Sequence, residues 1–253
     1  MNPDTPSTAR PRLDELLVSR GDFATRSRAR DAIERGTVTV DGRPAGKPGL
    51  RVPETVVIAI DDPAQRYVSR AALKLIAGLD HFGFDPAGCR AIDIGASTGG
   101  FTQVLLERGA AQVTAIDVGH GQLEKVLADD PRVTLLEGLN ARDLGAEHVP
   151  EAPDFLVCDV SFISLKLALP NALVLAASGA RGLFLVKPQF EAGREAIGKG
   201  GLLRDPDDAP RIAEDLSAWL DAQPGWRAVG WCPSPIEGGD GNREFLLAGV
   251  KDQ

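Results

Sequence analysis

From Tyr67 onward, apolar runs rich in Val, Ile and Leu alternate with longer segments of helical periodicity, and this alternation constrains the fold more than any other feature of the chain. Strands that alternate with helices build a mostly parallel sheet covered on both faces. Strands are expected at 89–94, 112–117, 133–137, 154–159, 182–187, 226–232 and 244–250. Helices are expected over 69–82, 99–108, 122–128, 164–177 and 208–222. The pattern predicts an α/β fold with a seven-stranded, doubly wound, Rossmann-like sheet. Seven strands with helices between most of them resemble a known variant of this sheet, in which the last strand runs antiparallel and returns beside the fifth.

The preceding residues read differently. Residues 1–9 are polar with two prolines and are expected to be disordered. Residues 10–60 should form a small α+β domain. It opens with a helix from Arg12, and Thr25 caps a second helix through Glu34 that stops at Gly36. Thr37 to Val40 alternates as a strand, Asp41-Gly42 supplies a hairpin turn, and Val56 to Ile60 is a further strand. The charged, proline-broken stretch 61–66 reads as a linker to a larger domain over 67–253. Residues 1–60 hold 10 Lys and Arg against 8 Asp and Glu, whereas the remainder holds 18 against 28, so the net charge of −8 hides a basic front end.

That front end resembles the small RNA-binding domain named after ribosomal small-subunit protein four. The residues that carry the likeness are Arg12-Leu13-Asp14, Thr25-Arg26, Gly36-Thr37-Val38-Thr39-Val40-Asp41-Gly42 and Lys47-Pro48-Gly49. Arg26, Arg28 and Lys47 are the candidates for straddling phosphates of a structured RNA.

Other classes lose support. The longest apolar stretch, 167–180, contains Pro170 and is shorter than a membrane span. The N-terminal residues do not read as a signal peptide. Cys89, Cys158 and Cys232 lie far apart, and the three histidines lack ligand spacing, so neither a disulfide framework nor a metal site is expected. A cytoplasmic, metal-independent protein is the default.

The chemistry centres on Ala91-Ile92-Asp93-Ile94-Gly95-Ala96-Ser97-Thr98-Gly99-Gly100-Phe101, a strand, a glycine-rich turn and a helix start. Glycine allows close backbone approach to a ligand, and Asp117, ending the second strand, can take both hydroxyls of a ribose. The spacing is not G-x-G-x-x-G and no Walker lysine follows. Asp93 beside the turn suits a cationic sulfonium better than a pyrophosphate, which favours S-adenosylmethionine over a dinucleotide. Asp159 and Lys187 end the fourth and fifth strands, Glu244 begins the antiparallel last strand, and Lys74 interrupts an apolar helix face. All but Lys74 are thereby assigned to the carboxyl edge of the sheet, where ligands bind. Singly, each has a structural explanation: a surface lysine, a helix cap, a strand end, a solvated edge. Together they make a candidate catalytic cluster, in which carboxylates orient one lysine and a second cation helps it act as a general base.

The blocks Tyr67-Val68-Ser69-Arg70-x-x-x-Lys74-Leu75, Asp93 to Thr102, Cys158 to Ser164, Val186-Lys187-Pro188-Gln189-Phe190-Glu191 and Gly241-Asn242-Arg243-Glu244-Phe245 resemble the TlyA family. That family joins the small RNA-binding domain to an FtsJ-like methyltransferase domain, and some members are labelled haemolysin. The resemblance implies 2′-O-methylation of ribose, typically cytidine, in ribosomal RNA or ribosomal subunits. It implies Lys187 as the base, with Lys74, Asp159 and Glu244 positioning it. Gly95, Ser97, Gly99, Gly100, Asp117, Asn140 and Asp159 would surround S-adenosylmethionine. Where relatives often have Gly-Thr-Asn, this chain has Gly138-Leu139-Asn140.

Rival readings meet specific obstacles. Exocyclic-amine transfer usually places Asn/Asp-Pro-Pro-aromatic after the fourth strand, where this chain has Asp159-Val160-Ser161-Phe162. Carbon-5 pyrimidine chemistry needs a cysteine facing the pocket, and strand alternation turns Cys158 away from Asp159. A membrane-active haemolysin would need an amphipathic or spanning segment. A non-catalytic RNA-binding protein would have no use for the four polar residues.

Overall fold

Residues 10–239 and 241–252 are described by a computed structural model, and the expectation for residues 1–9 lies outside them. The chain divides into two compact units that meet in sequence between Arg66 and Tyr67.

In the first unit, α1 (Leu13–Ser19) and α2 (Arg26–Glu34) pack beside a three-stranded antiparallel sheet of β1 (Val38–Val40), β2 (Arg43–Pro44) and β3 (Ile58–Ile60), in the order β2-β1-β3. Leucines at helical spacing drive this packing: Leu13, Leu16 and Leu17 are buried against Ala29, Ile33 and Val38. Thr25 caps α2 as expected, its hydroxyl accepting the Arg28 N–H at 3.3 Å. Asp41 and Gly42 both adopt positive φ, the geometry of a two-residue hairpin turn. Residues 61–66 are not a free linker but part of this unit. Asp62 forms a nearly buried ion pair with Arg35, Ala64 is buried, and Pro63–Arg66 winds into a 3-10 turn.

The second unit holds seven strands: β4 (Arg90–Ile94), β5 (Gln112–Asp117), β6 (Val133–Glu137), β7 (Phe155–Cys158), β8 (Arg181–Val186), β9 (Trp226–Pro233) and β10 (Phe245–Lys251). Their order is β6-β5-β4-β7-β8-β10-β9, parallel except that β10 runs antiparallel to both neighbours. The chain reverses its direction of travel across the sheet between β4 and β7, and the carboxyl ends of these two strands flank the crevice where such sheets bind ligands. One apolar core lies on each face. Ile92 and Ile94 point to one, and Ala91, sharing its side of the strand with Asp93, points to the other.

The helices are α3 (Ala72–Phe82), α4 (Gly100–Glu107), α5 (Lys125–Ala128), α6 (Leu165–Ala168), α7 (Pro170–Leu175), α8 (Pro188–Glu191) and α9 (Ala209–Asp221). The continuous helix expected over 164–177 is instead two short ones. Pro170 has no N–H to continue the first and occupies the opening turn of the second.

Candidate active site

At the end of β4 the chain turns through Gly95, whose φ is +84°. A Cβ there would lie 2.5 Å from the Asp159 carbonyl oxygen, so only glycine lets this turn pack against the end of β7. Ser97 is also left-handed, at φ +46°, and its N–H donates to Asp117 Oδ2 at 2.8 Å. The Gly119 N–H donates to the other Asp117 oxygen at 2.8 Å. A carboxylate offers about four acceptor positions, so Asp117 is fixed in place with capacity left for ribose hydroxyls.

Two cavities open around this turn. The larger, about 1050 Å³, runs from Asp117, Leu139 and Asn140 to Phe162 and Phe190. The smaller, about 220 Å³, is bounded by Ser69, Gly100 and Lys187 among others. Gly95, Ser97, Asp159 and Ser161 line both, which places them at the junction. Asn140 lies in the larger wall, its Oδ1 accepting from the Arg142 backbone at 3.1 Å and so capping the turn that follows β6. Leu139 gives that wall an apolar surface. Gly99 lines neither cavity. It sits at φ +99° and an added Cβ would strike Leu127 and Leu123, so it serves helix packing, not ligand approach.

The four polar residues form two ion pairs. Lys187 Nζ lies 2.6 Å from Asp159 Oδ1 and donates to Ser161 Oγ at 2.9 Å. Lys74 Nζ lies 2.5 Å from Glu244 Oε2, both side chains being buried. The register that pairs Phe245 with Val186 sets Glu244 opposite Lys187 across the strand ends. Lys74 is therefore engaged by Glu244 and is not a bare second cation beside Lys187. Its positive charge offsets a carboxylate that would otherwise be buried alone.

Asp93 stands elsewhere than the charge argument implied. It is fully buried behind the turn, with Oδ2 receiving the Thr102 hydroxyl at 2.7 Å and Oδ1 without a hydrogen-bond partner. Burial pushes its carboxyl up to about 7 against the pull of that hydrogen bond, and the Asp159 charge adds to the rise. Cys158 is buried on the opposite side of β7 from Asp159, and burial pushes its thiol well above the ordinary range.

Sequence reasoning had not marked Ser161, Phe162 or Glu191 as site residues. Phe162 is 90% exposed, adopts φ +66° and lies 5.1 Å from Phe190, ring centroid to centroid. Its only sequence signal was an aromatic residue three positions after Asp159.

In the first unit Arg26 bonds Asp14 at 3.0 Å and Glu15 at 3.1 Å. Burial pushes the Asp14 carboxyl up, but hydrogen bonds from Arg12 and Arg26 outweigh it and hold the group below the usual carboxylate range. The Arg12-Leu13-Asp14 motif thus has a structural task, and Arg26 is partly neutralised by it. Arg28 reaches toward the carbonyls of Ala64 and Gln65. Lys47 is exposed, as are Arg30 and Arg43.

Comparison with known proteins matches each unit to a family. The FtsJ-like methyltransferase family matches residues 67–251 and the S4 domain matches residues 11–58. The chain is 45% identical to the 16S/23S rRNA (cytidine-2′-O)-methyltransferase TlyA of Mycobacterium tuberculosis, over 94% of this chain and 89% of that protein. It is 39% identical to Hemolysin A of Brachyspira hyodysenteriae, over 93% and 98% of the two chains. A solved hemolysin-named structure from Streptococcus thermophilus superposes with a TM-score of 0.73 at 39% identity, covering 97% of this chain and 90% of that one. Among the described residues no helix is long and apolar enough to cross a membrane. The chain belongs to the TlyA family, an FtsJ-like methyltransferase domain preceded by an S4 domain.

Proposed function

We propose that the protein methylates the ribose 2′-hydroxyl of a cytidine in ribosomal RNA, acting on RNA or ribosomal subunits in the cytoplasm, with S-adenosylmethionine as donor and Lys187 as general base. The observation that carries the reading is Lys187 Nζ, which lines the smaller cavity beside the glycine turn and is held there by Asp159 and Ser161.

The residues fit the donor. Gly95 leaves the turn open to close approach, and Asp117 is anchored with acceptor capacity in hand. Gly95, Ser97, Gly100, Asp117, Asn140 and Asp159 would hold it. When bound there, it supplies a methyl group made electrophilic by the sulfonium.

The chain's own residues do the rest. A ribose hydroxyl is a weak acid and needs a base within hydrogen-bond reach. Lys187 accepts that proton at Nζ, and the contacts to Asp159 and Ser161 determine where Nζ sits. Glu244 stands opposite Lys187 in the strand register, and Lys74 keeps its charge paired there. Phe162 and Phe190 offer a planar face at the cavity mouth for the target base. Phosphates farther along the RNA are met by Lys47 and the exposed arginines of the S4 unit.

The test is Lys187→Ala. Methylation should fall about 10²–10⁴-fold, as for other removed general bases, while calorimetry should show cofactor binding intact. An alanine variant with near-normal rate would show that Lys187 is not the base.

A further inference from the structure

The loop between β7 and α6 carries Asp159, Ser161 and Phe162, and both of its ends are gripped by one short segment, 187–191. At the near end Lys187 holds Asp159 and Ser161. At the far end the Glu191 carboxylate accepts the Ser164 hydroxyl at 2.5 Å and the Leu165 N–H at 2.7 Å. The Ser164 oxygen in turn accepts the Lys166 N–H at 3.1 Å, so Glu191 anchors the residue that caps α6. Between the two anchors stands Phe162, in a left-handed conformation that a phenylalanine does not hold without support from its surroundings.

We propose that Glu191 is a positioning residue for methyl transfer. It keeps the loop 159–164 in the one shape that presents Ser161 to Lys187 and Phe162 to the incoming nucleotide, without itself touching substrate. Burial pushes its carboxyl up even though Ser164 and Leu165 donate to it. Glu191 is half-buried, and an apolar side chain in its place would leave the Ser164 hydroxyl and the Leu165 N–H without their acceptor. The inference rests on the 2′-O reading, because it assigns Glu191 to the presentation of a nucleotide beside Lys187.

The experiment compares Glu191→Ala and Glu191→Gln. Glutamine can still accept the Leu165 N–H through Oε1 and donate to the Ser164 oxygen through Nε2. Alanine should lower kcat about 10–100-fold, the scale of a small misplacement in an active site, and raise KM for ribosomal RNA. Cofactor affinity and the thermal midpoint should stay close to wild type, and glutamine should restore most of the rate. A second readout needs no activity. In Phe162→Trp protein labelled with 5-fluorotryptophan, the resonance absent from the parent reports on position 162. Adding Glu191→Ala should shift or broaden that line alone. An unchanged line, an unchanged kcat, a glutamine variant as impaired as alanine, or a loss of rate matched by lost folding would each overturn the proposal. Failure of the 2′-O reading is seen separately, as methyl label in a position other than the ribose, whatever the fluorine line does.

Discussion

Asp93→Asn isolates a cost that the fold imposes on itself. In the folded protein the Asp93 carboxyl is raised to about 7, whereas an unfolded chain gives it an ordinary value of 3.8. Between those values the native state holds a proton that the unfolded state has released, so stability falls as pH rises. The contribution is fully present below the unfolded value and is lost by the time pH passes the folded one. Each pH unit in that window costs about 1.4 kcal/mol, for a total of about 4 kcal/mol. Asparagine stays neutral throughout, keeps the side-chain volume and can still meet the Thr102 hydroxyl. Urea unfolding at a series of pH values from 4 to 8 reads the difference, since every other carboxylate is common to both proteins and cancels. The variant should gain on wild type steadily up to about pH 7 and then hold its advantage. Parallel stability profiles for the two proteins would refute the reasoning and show that Asp93 is ionised in the native state at all these values.

Four further outcomes follow from the ion pairs, the thiol and the basic face. Lys74→Ala should destabilise the larger unit by about 3–5 kcal/mol, because it leaves Glu244 buried and unpaired, and the double variant Lys74→Met/Glu244→Gln should unfold at higher urea than Lys74→Ala does. Cys158→Ala should keep its methylation rate, since the buried thiol faces away from Asp159; loss of activity in that variant would revive carbon-5 chemistry. Filter binding to ribosomal RNA across a salt series should show Lys47→Ala and Arg30→Ala each reducing the slope of log affinity against log salt by about 0.7–0.9. Arg26→Ala should also lower the thermal stability of the S4 unit, because Asp14 loses a partner.

What could be read from the sequence was whatever depends on local pattern. Apolar periodicity and the glycine turn located the strands of the large sheet to within a residue or two, whereas the antiparallel last strand was expected only from the sheet's likeness to a known variant. The pairing of charges was not legible in that way. Lys74 and Glu244 stand 170 positions apart, and nothing local says that they bond to each other before either helps Lys187. Asp93 was expected to face the donor, but alternation along β4 turns its side chain toward Thr102, away from the cavity. Arg26 looked like a free RNA contact until the buried Asp14 was seen to hold it. Pro170 sits in an otherwise helical pattern, and its missing N–H was the signal that one helix would become two. Glu191 lay inside a quoted motif, yet its task depends on Ser164, which only the folded loop brings to it.

In the reaction proposed for this protein the methyl group goes to a ribose oxygen. Alkaline hydrolysis distinguishes that oxygen from a base position, because RNA cleavage by base requires a free 2′-hydroxyl. Ribosomal RNA methylated in vitro from methyl-labelled S-adenosylmethionine should release its label only in alkali-resistant dinucleotides that begin with cytidine, and the Lys187→Ala enzyme should leave none. Label recovered in mononucleotides would place the methyl group on a base and contradict the account.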